Sequence, residues 1–387
     1  MRTITLRSVC AWLRRGAVAL ALVGAQTLHA EITVGVSLTV TGPAASLGGP
    51  QKNTIDLLPQ TIDGEPVRYF VLDDGNFPQV ADKDARRLVE SGADIIIGGS
   101  TVPSAMAIAA VAAPAKTPHI ALAPIAPKPE WFPWVFVAPQ SIGLMASAIF
   151  EHLERAGVKK LGYIGFNDGY GEAWLAHTRR LAEAHGIDLT IVERYDRTDR
   201  TALPQARRLL AANPDAILVA GSGTPSAMPM RMLRERGYKG RFYHTHGAGS
   251  VEFLRAVQGF GDGLVLPIGP VLVADQLPAS HPSRDAALRY MRLYEGKHGA
   301  GSINPFGAHA WDAFLLFERA AKVALKQARP GTPQFRQALR DALEGTRNFP
   351  VSHGVVNMSD KNHNGLDERS RVLVTVEKGR WVLLPAP

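Results

Sequence analysis

Asp94-Ile95-Ile96-Ile97-Gly98-Gly99-Ser100-Thr101-Val102-Pro103-Ser104 is the stretch that decides the fold. Three consecutive isoleucines leave no polar face, as expected of a strand in a parallel sheet covered by helices on both sides. Two glycines make a turn, and hydroxyl residues around a proline then open a helix expected over 103–115. A strand passing through a short loop into a helix is half of a βαβ unit.

The same alternation runs outward in both directions. Strands are expected at 32–38, 67–72, 94–98, 119–122, 160–165, 188–192, 215–220, 241–244 and 263–268. Amphipathic stretches lie between them at 79–91, 103–115, 142–156, 171–186, 201–212 and 226–237. Strands spaced by helices of this length imply parallel sheets. Beyond residue 280 the pattern changes to helices at 283–298, 305–327 and 333–344, then a hairpin of 371–377 and 380–384 turned at Lys378-Gly379. The chain has 387 residues, and single cores stop growing at about 250–300 residues, so two domains are expected. Ligands of such sheets bind beyond the carboxyl ends of the strands. The loops to watch are therefore 41–49, 98–104, 123–129, 167–171, 221–225 and 244–249.

The first thirty residues stand apart. Arg2, Arg7, Arg14 and Arg15 precede an uncharged apolar run, Ala17 to Ala25, too short for a membrane span of about 20 residues. This is the pattern of a secretory signal peptide cleaved after Ala30, or alternatively after Ala25. Cys10, the only cysteine, would leave with it, so the mature protein is expected to be soluble, free of disulfides and without a lipid anchor. Loss of four arginines takes the formal charge from +8 to +4. No dense Lys/Arg run interleaved with aromatics points to nucleic acid.

Specific tests for an enzyme fail. Gly98-Gly99-Ser100-Thr101-Val102 lacks the closing glycine of a nucleophile elbow, and Gly247-Ala248-Gly249 lacks the third glycine of a dinucleotide loop. His244 and His246, two apart on an expected strand, should share a face, yet no third zinc ligand stands near. Asp360-Lys361-Asn362-His363-Asn364-Gly365 copies the start of a calcium loop, but position twelve is Arg371 where a bidentate Glu is required. A turn is the expectation there. No cofactor and no metal are expected.

The mature chain resembles the branched-chain amino-acid-binding family of periplasmic proteins. The resemblance rests on Thr41-Gly42-Pro43-Ala44-Ala45-Ser46-Leu47-Gly48, Asp73-Asp74, Ala85-Arg86-Arg87-Leu88-Val89, Tyr170-Gly171-Glu172 and Trp311-Asp312-Ala313, in that order. It implies an α/β type I periplasmic binding protein, two doubly wound parallel-sheet lobes joined by three hinge crossovers. Lobe 1 would comprise 31–140 plus 271–353 and lobe 2 would comprise 141–270 plus 354–387. The crossovers would fall near Pro139–Ser141, Pro267–Val271 and Ser352–Asn357.

The resemblance also implies which residues meet a ligand. Ser100 and Thr101 match the loop that holds an amino-acid carboxylate, although their hydroxyls are equally suited to capping the helix. Ala123-Pro124-Ile125 stands where the family carries Ala-Ala-Thr, so an N–H and a hydroxyl are lost. Tyr170 matches the aromatic of the second lobe, Ser222 lies in a loop packing over the ligand, and Leu47 adds apolar surface. His246 falls where the family places the acid for the ligand's ammonium, unless the alignment slips six residues to Glu252. An imidazole cannot replace that acid. These departures favour an apolar or aromatic carboxylic acid over a zwitterion. The expected protein is a monomeric, periplasmic, non-catalytic substrate-binding component of an ABC transporter, working with a membrane permease and an ATPase. A branched-chain or other hydrophobic amino-acid binder, or a soluble ligand sensor on the same fold, is the alternative.

Overall fold

The computed structural model describes residues 31–385, so the leader expected at 1–30 lies outside the described residues. Among those described, no helix is long and apolar enough to cross a membrane. Two α/β lobes carry two sheets. The first contains β1 (Ile32–Leu38), β2 (Thr61–Ile62), β3 (Glu65–Asp73), β4 (Ile95–Gly98), β5 (His119–Ala121) and β6 (Val135–Val137), in the spatial order β2-β3-β1-β4-β5-β6. The second contains β7 (Lys160–Phe166), β8 (Asp188–Tyr195), β9 (Ala216–Ala220), β10 (Arg241–His244) and β11 (Val265–Ile268). A short hairpin, β12 (Phe349–Val351) and β13 (Gly354–Val356), stands apart. The terminal strands β14 (Val372–Glu377) and β15 (Arg380–Leu383) complete the second sheet, ordered β15-β14-β11-β10-β9-β7-β8.

The central pairings are parallel, but each sheet has an antiparallel margin: β2 on β3 in the first, β14 on β11 and β15 on β14 in the second. Central strands are buried along their length, as in β1, β4 and β9, which is why their sequences read as unbroken apolar runs. Strand order reverses between β1 and β4 in the first sheet and between β7 and β9 in the second. The loops leaving these strands diverge there and open a crevice.

Three local readings need correction. The loop expected at 41–49 contains the start of a helix, Ala45–Ile55. Gly48, Gly49 and Pro50 look like turn residues, yet Leu47, Gln51, Thr54 and Ile55 are buried and packing holds the helix. Strand β6 was not expected, being three residues long behind the turn Phe132–Trp134. Finally, β10 ends at His244 and a 3-10 turn begins at His246, so the two histidines part company. His244 packs against Phe253, whereas His246 faces Tyr170 and Trp174.

The segment after the short hairpin packs beside the first sheet. Val351, Val356 and Met358 are buried in the same core as β1, and Leu366 packs against it. His363 lies between the rings of Phe132 and Phe136, with centroids at 4.2 and 4.3 Å. Asn364 donates to the carbonyls of Val137 and Pro139. Residues 354–366 thus pack against the first sheet, and the chain enters the second sheet at Val372. The calcium-like stretch is a turn: Asn362 Oδ1 accepts the amides of Asn364 and Gly365. Asp312, on the helix Pro305–Ala324, accepts the amides of Ser352 and His353 and fixes the hairpin turn.

Candidate functional site

At the first switch point, Gly99 takes φ 78°, a left-handed conformation open to glycine, and a Cβ there would collide with Ala105. The turn delivers Ser100, Thr101 and Val102 to the head of the helix Val102–Ala112. Thr101 Oγ1 caps that helix by accepting Ser104 N–H at 3.4 Å. Ser100 is engaged elsewhere: its hydroxyl accepts Thr39 N–H at 2.9 Å and donates to Gln51 Oε1 at 2.6 Å. Its side chain locks the β1 and β4 loops together. The backbone N–H groups of Ser100, Thr101 and Val102 have no protein partner among the described residues. Three uncharged donors thus converge at a helix N-terminus, an arrangement that suits an anion.

Opposite them, the loop after β7 begins the helix Gly169–Ala184, capped by Asp168 Oδ1 on the amides of Tyr170 and Gly171. Tyr170 directs its ring to the cleft and donates its hydroxyl to Thr245 Oγ1, which donates to Gly221 O. Burial pushes the Tyr170 phenol up to about 12. Arg197 follows β8. Its Nε donates to Asp168 at 2.7 Å, one Nη donates to Ser222 Oγ at 2.9 Å, and the guanidinium lies 4.1 Å from the Phe166 centroid. Only 9 % of the side chain is exposed. An arginine has five N–H donors, so three of them remain for a ligand.

Leu47, Ser100, Thr101, Ala123, Pro124, Tyr170, Ser222 and His246 all line one cavity between the lobes. Ile125 does not. Its amide turns back to Ala123 O, and its side chain joins the core around Val102. The walls are also built from Val102, Leu122, Pro139, Gly247 and three residues the sequence reading missed: Arg197, Phe306 and His309. Arg197 was missed because the expected strand stopped at Val192, whereas β8 continues to Tyr195 and delivers Arg197 to its carboxyl end. Phe306 and His309 stand three apart in the first turns of the helix Pro305–Ala324, a spacing that shares one face.

No aspartate or glutamate lines the cavity. Glu252 accepts a hydrogen bond from Asn304 across the lobes at 3.3 Å. Asp262 lies in a larger open groove of about 1100 Å3 on the second lobe, away from both switch points. Burial holds the His246 imidazole down at about 3, with His353 adding to the effect. His309 is held well below the ordinary histidine range by burial, with His353 and His246 adding to it. Both rings are therefore neutral at pH 7. The cavity between the walls has a volume of about 30 Å3. That is far below the about 300–1,000 Å3 of small-molecule sites, so the walls must part to admit a ligand.

Residues 31–380 match the family model described as periplasmic binding protein. The chain belongs to that family. An extracellular ligand-binding receptor from Rhodopseudomonas palustris HaA2 is 42 % identical, with a TM-score of 0.90 over 92 % of this chain and all of that one. A leucine-binding protein from Thermotoga maritima shares the fold at 21 % identity, with a TM-score of 0.77 over 92 % of this chain and 98 % of that one. A solute-binding protein of an ABC transporter from Rhodopseudomonas palustris BisB5, solved with 3,4-dihydroxybenzoic acid, does so at 19 % identity. Its TM-score is 0.72 over 92 % of this chain and 96 % of that one. No curated relative matches the sequence. The family is one of periplasmic binding proteins and the 42 % identical relative is an extracellular ligand-binding receptor; this chain is a ligand-binding receptor of that kind.

Proposed function

We propose that the protein captures a small apolar or aromatic carboxylic acid in the cleft and presents it, as a monomer without cofactor or catalysis, to the permease and ATPase of an ABC-type uptake transporter. The observation that carries this reading is the charge inventory of the cavity. It holds one guanidinium and no carboxylate, with a neutral imidazole at the position where the family resemblance puts the acid for an ammonium group. An amino acid would bury its ammonium without a counter-charge, at an effective cost of several kcal/mol.

A carboxylate lies naturally between Arg197 on one lobe and the amides of Ser100, Thr101 and Val102 on the other. Gly169, beside Asp168, already approaches Val102 across the cleft. An anion held by both sides favours the closed arrangement, and closure about the crossovers is how two-lobed proteins bury a ligand. The ring would pack among Tyr170, Leu47, Leu122 and Phe306, with Ala123 and Pro124 as apolar floor. The lobes would be 31–140 plus 271–366 and 141–270 plus 367–387, with the last boundary following the packing of residues 354–366.

Calorimetry on exported protein tests the reading, with its N-terminal residue (Glu31 is expected) read from the same preparation. Aromatic monocarboxylic acids should bind and leucine, isoleucine and valine should not. A ligand at 100 times its Kd would stabilise the fold by about 2.7 kcal/mol. Tight leucine binding with indifference to aromatic acids would return the protein to plain amino-acid transport.

A further inference from the structure

We infer that the pole of the second lobe opposite the cleft carries a docking groove for a partner protein, one that takes an extended acidic segment interspersed with apolar side chains. The groove has a volume of about 1100 Å3 and shares no lining residue with the ligand cavity.

Its place follows from the sheet. Tyr238 and Lys239 line it just before β10 starts at Arg241, and Asp262 lines it just before β11. The turn Lys378-Gly379 bounds it, because β14 runs antiparallel to β11 and ends at that side. These are the amino ends of the strands, whereas the ligand cavity lies beyond the carboxyl ends. The lining residues all fall within 231–262 and 376–379, so one lobe builds the whole groove. Rotation of the lobes leaves it unchanged.

Its charge is one-sided. Arg231, Arg234, Lys239, Arg255 and Lys378 line it against Glu235 and Asp262. That local excess of three compares with a formal +4 for the whole of residues 31–387. None of the five cations forms an ion pair among the described residues, while Glu235 is paired with Arg236 at 3.7 Å. Two of the guanidinium groups are held in place. Arg234 Nη1 donates to the carbonyls of Tyr238 and Gly240 at 2.8 and 3.1 Å, with its charge 4.7 Å from the Phe242 centroid. Arg231 donates to Ala256 O at 3.1 Å and lies 5.5 Å from the Phe260 centroid. A guanidinium has five N–H donors, so Arg234 keeps three of them for a partner and Arg231 keeps four. Burial lowers the Arg234 pKa from its ordinary value, as it does for a half-buried cation that lacks a counter-charge.

Planar forks held in this way suit carboxylates, which they bind in bidentate pairs. Leu254 and Phe260, both partly buried, give the walls apolar surface. A bilayer is a plane and would touch only the rim of such a groove. A chain segment can enter it, setting acids on the arginines and apolar side chains between them. Arginine clusters are a recurrent means of reading acidic motifs.

Fluorescence anisotropy tests the inference with a short dye-labelled peptide alternating Glu with Leu and Phe, and with its Lys counterpart. The wild-type protein should bind the Glu peptide and not the Lys peptide, and added salt should weaken the complex. Arg255→Glu combined with Lys378→Glu reverses two exposed charges that make no side-chain hydrogen bond among the described residues. That variant should bind the peptide about tenfold more weakly or worse, with its affinity for a cleft ligand unchanged. Arg234→Gln should weaken the peptide too. Circular dichroism establishes folding, and if Arg234→Gln is not folded the exposed pair decides. No binding of the Glu peptide, equal binding of both peptides, or an unchanged Kd in the folded double variant overturns the inference. So does sedimentation with phosphatidylglycerol vesicles in place of peptide binding, which would make the pole a membrane surface. The reading of the cleft stands or falls separately, since failure of every carboxylic acid to bind there leaves this groove untouched.

Discussion

The loop after β4 and the loops after β7, β8 and β9 face each other across the cleft, and they hold their hydrogen-bonding capacity in different currencies. On the first side the free donors are the backbone amides of Ser100, Thr101 and Val102, while the Ser100 hydroxyl is consumed by Thr39 and Gln51. On the second side the free donors are side-chain groups, three on Arg197 and the ring of His246. Backbone donors persist through substitution and carry no formal charge. Side-chain donors set charge, and a single replacement changes what the site selects. Affinity for any anion should be shared, whereas selectivity should sit on the second lobe.

The sharpest way to break this contrast is Arg197→Met, which keeps packing on Phe166 but removes the charge. Truncating one partner of a buried charge pair costs about 2–5 kcal/mol, so carboxylic-acid affinity should fall on the order of a hundredfold or more by calorimetry. A loss under fivefold would move the anion to the first lobe. Ser100→Ala should act almost oppositely. It strands Thr39 N–H and Gln51, lowering unfolding free energy in urea by about 2–3 kcal/mol, while affinity changes by less than about threefold because the amides stay. Lost affinity at unchanged stability would make the hydroxyl a direct contact after all.

The smallest effect concerns pH. The folded His246 is held at about 3, below its ordinary 6.5, so it is neutral on both sides of 6.5 and takes up no proton near neutrality. Acid affinity should therefore vary less than about twofold between pH 5.5 and 8. A rise of tenfold on acidification through 6.5 would mean a cationic His246 pairs with the carboxylate, in place of Arg197. The same depression gives stability that is present above 6.5 and is lost as pH falls toward 3.

What the sequence discloses follows this division. Apolar runs such as Ile95-Ile96-Ile97 and the hydroxyl-proline helix start made both the alternation and the first switch point readable. Side-chain losses at Pro124 and His246 were visible as chemistry. Arg197 was hidden because Glu193-Arg194-Tyr195 does not look like the interior of a strand. Arg208 pairs with Glu193, and Arg194 pairs with Glu172, so β8 tolerates the charges. His309 was hidden inside a helix whose periodicity is satisfied by core packing alone; only its place beside the N-terminus marks it. The use of the Ser100 hydroxyl could not be read, since Thr39 and Gln51 lie 61 and 49 residues away in sequence.

The amide of Thr224 meets Ser46 Oγ at 3.4 Å, one lobe touching the other at the mouth of the cleft. Cys10 is the sequence's only cysteine and precedes the first strand. A thiol introduced at Thr224 would thus be the one point in residues 31–387 where a maleimide dye attaches. Its emission would follow the environment of that mouth, dim or bright as the gap opens or shuts. The receptor is in this respect a frame for an optical sensor, with its transducer already placed by the fold.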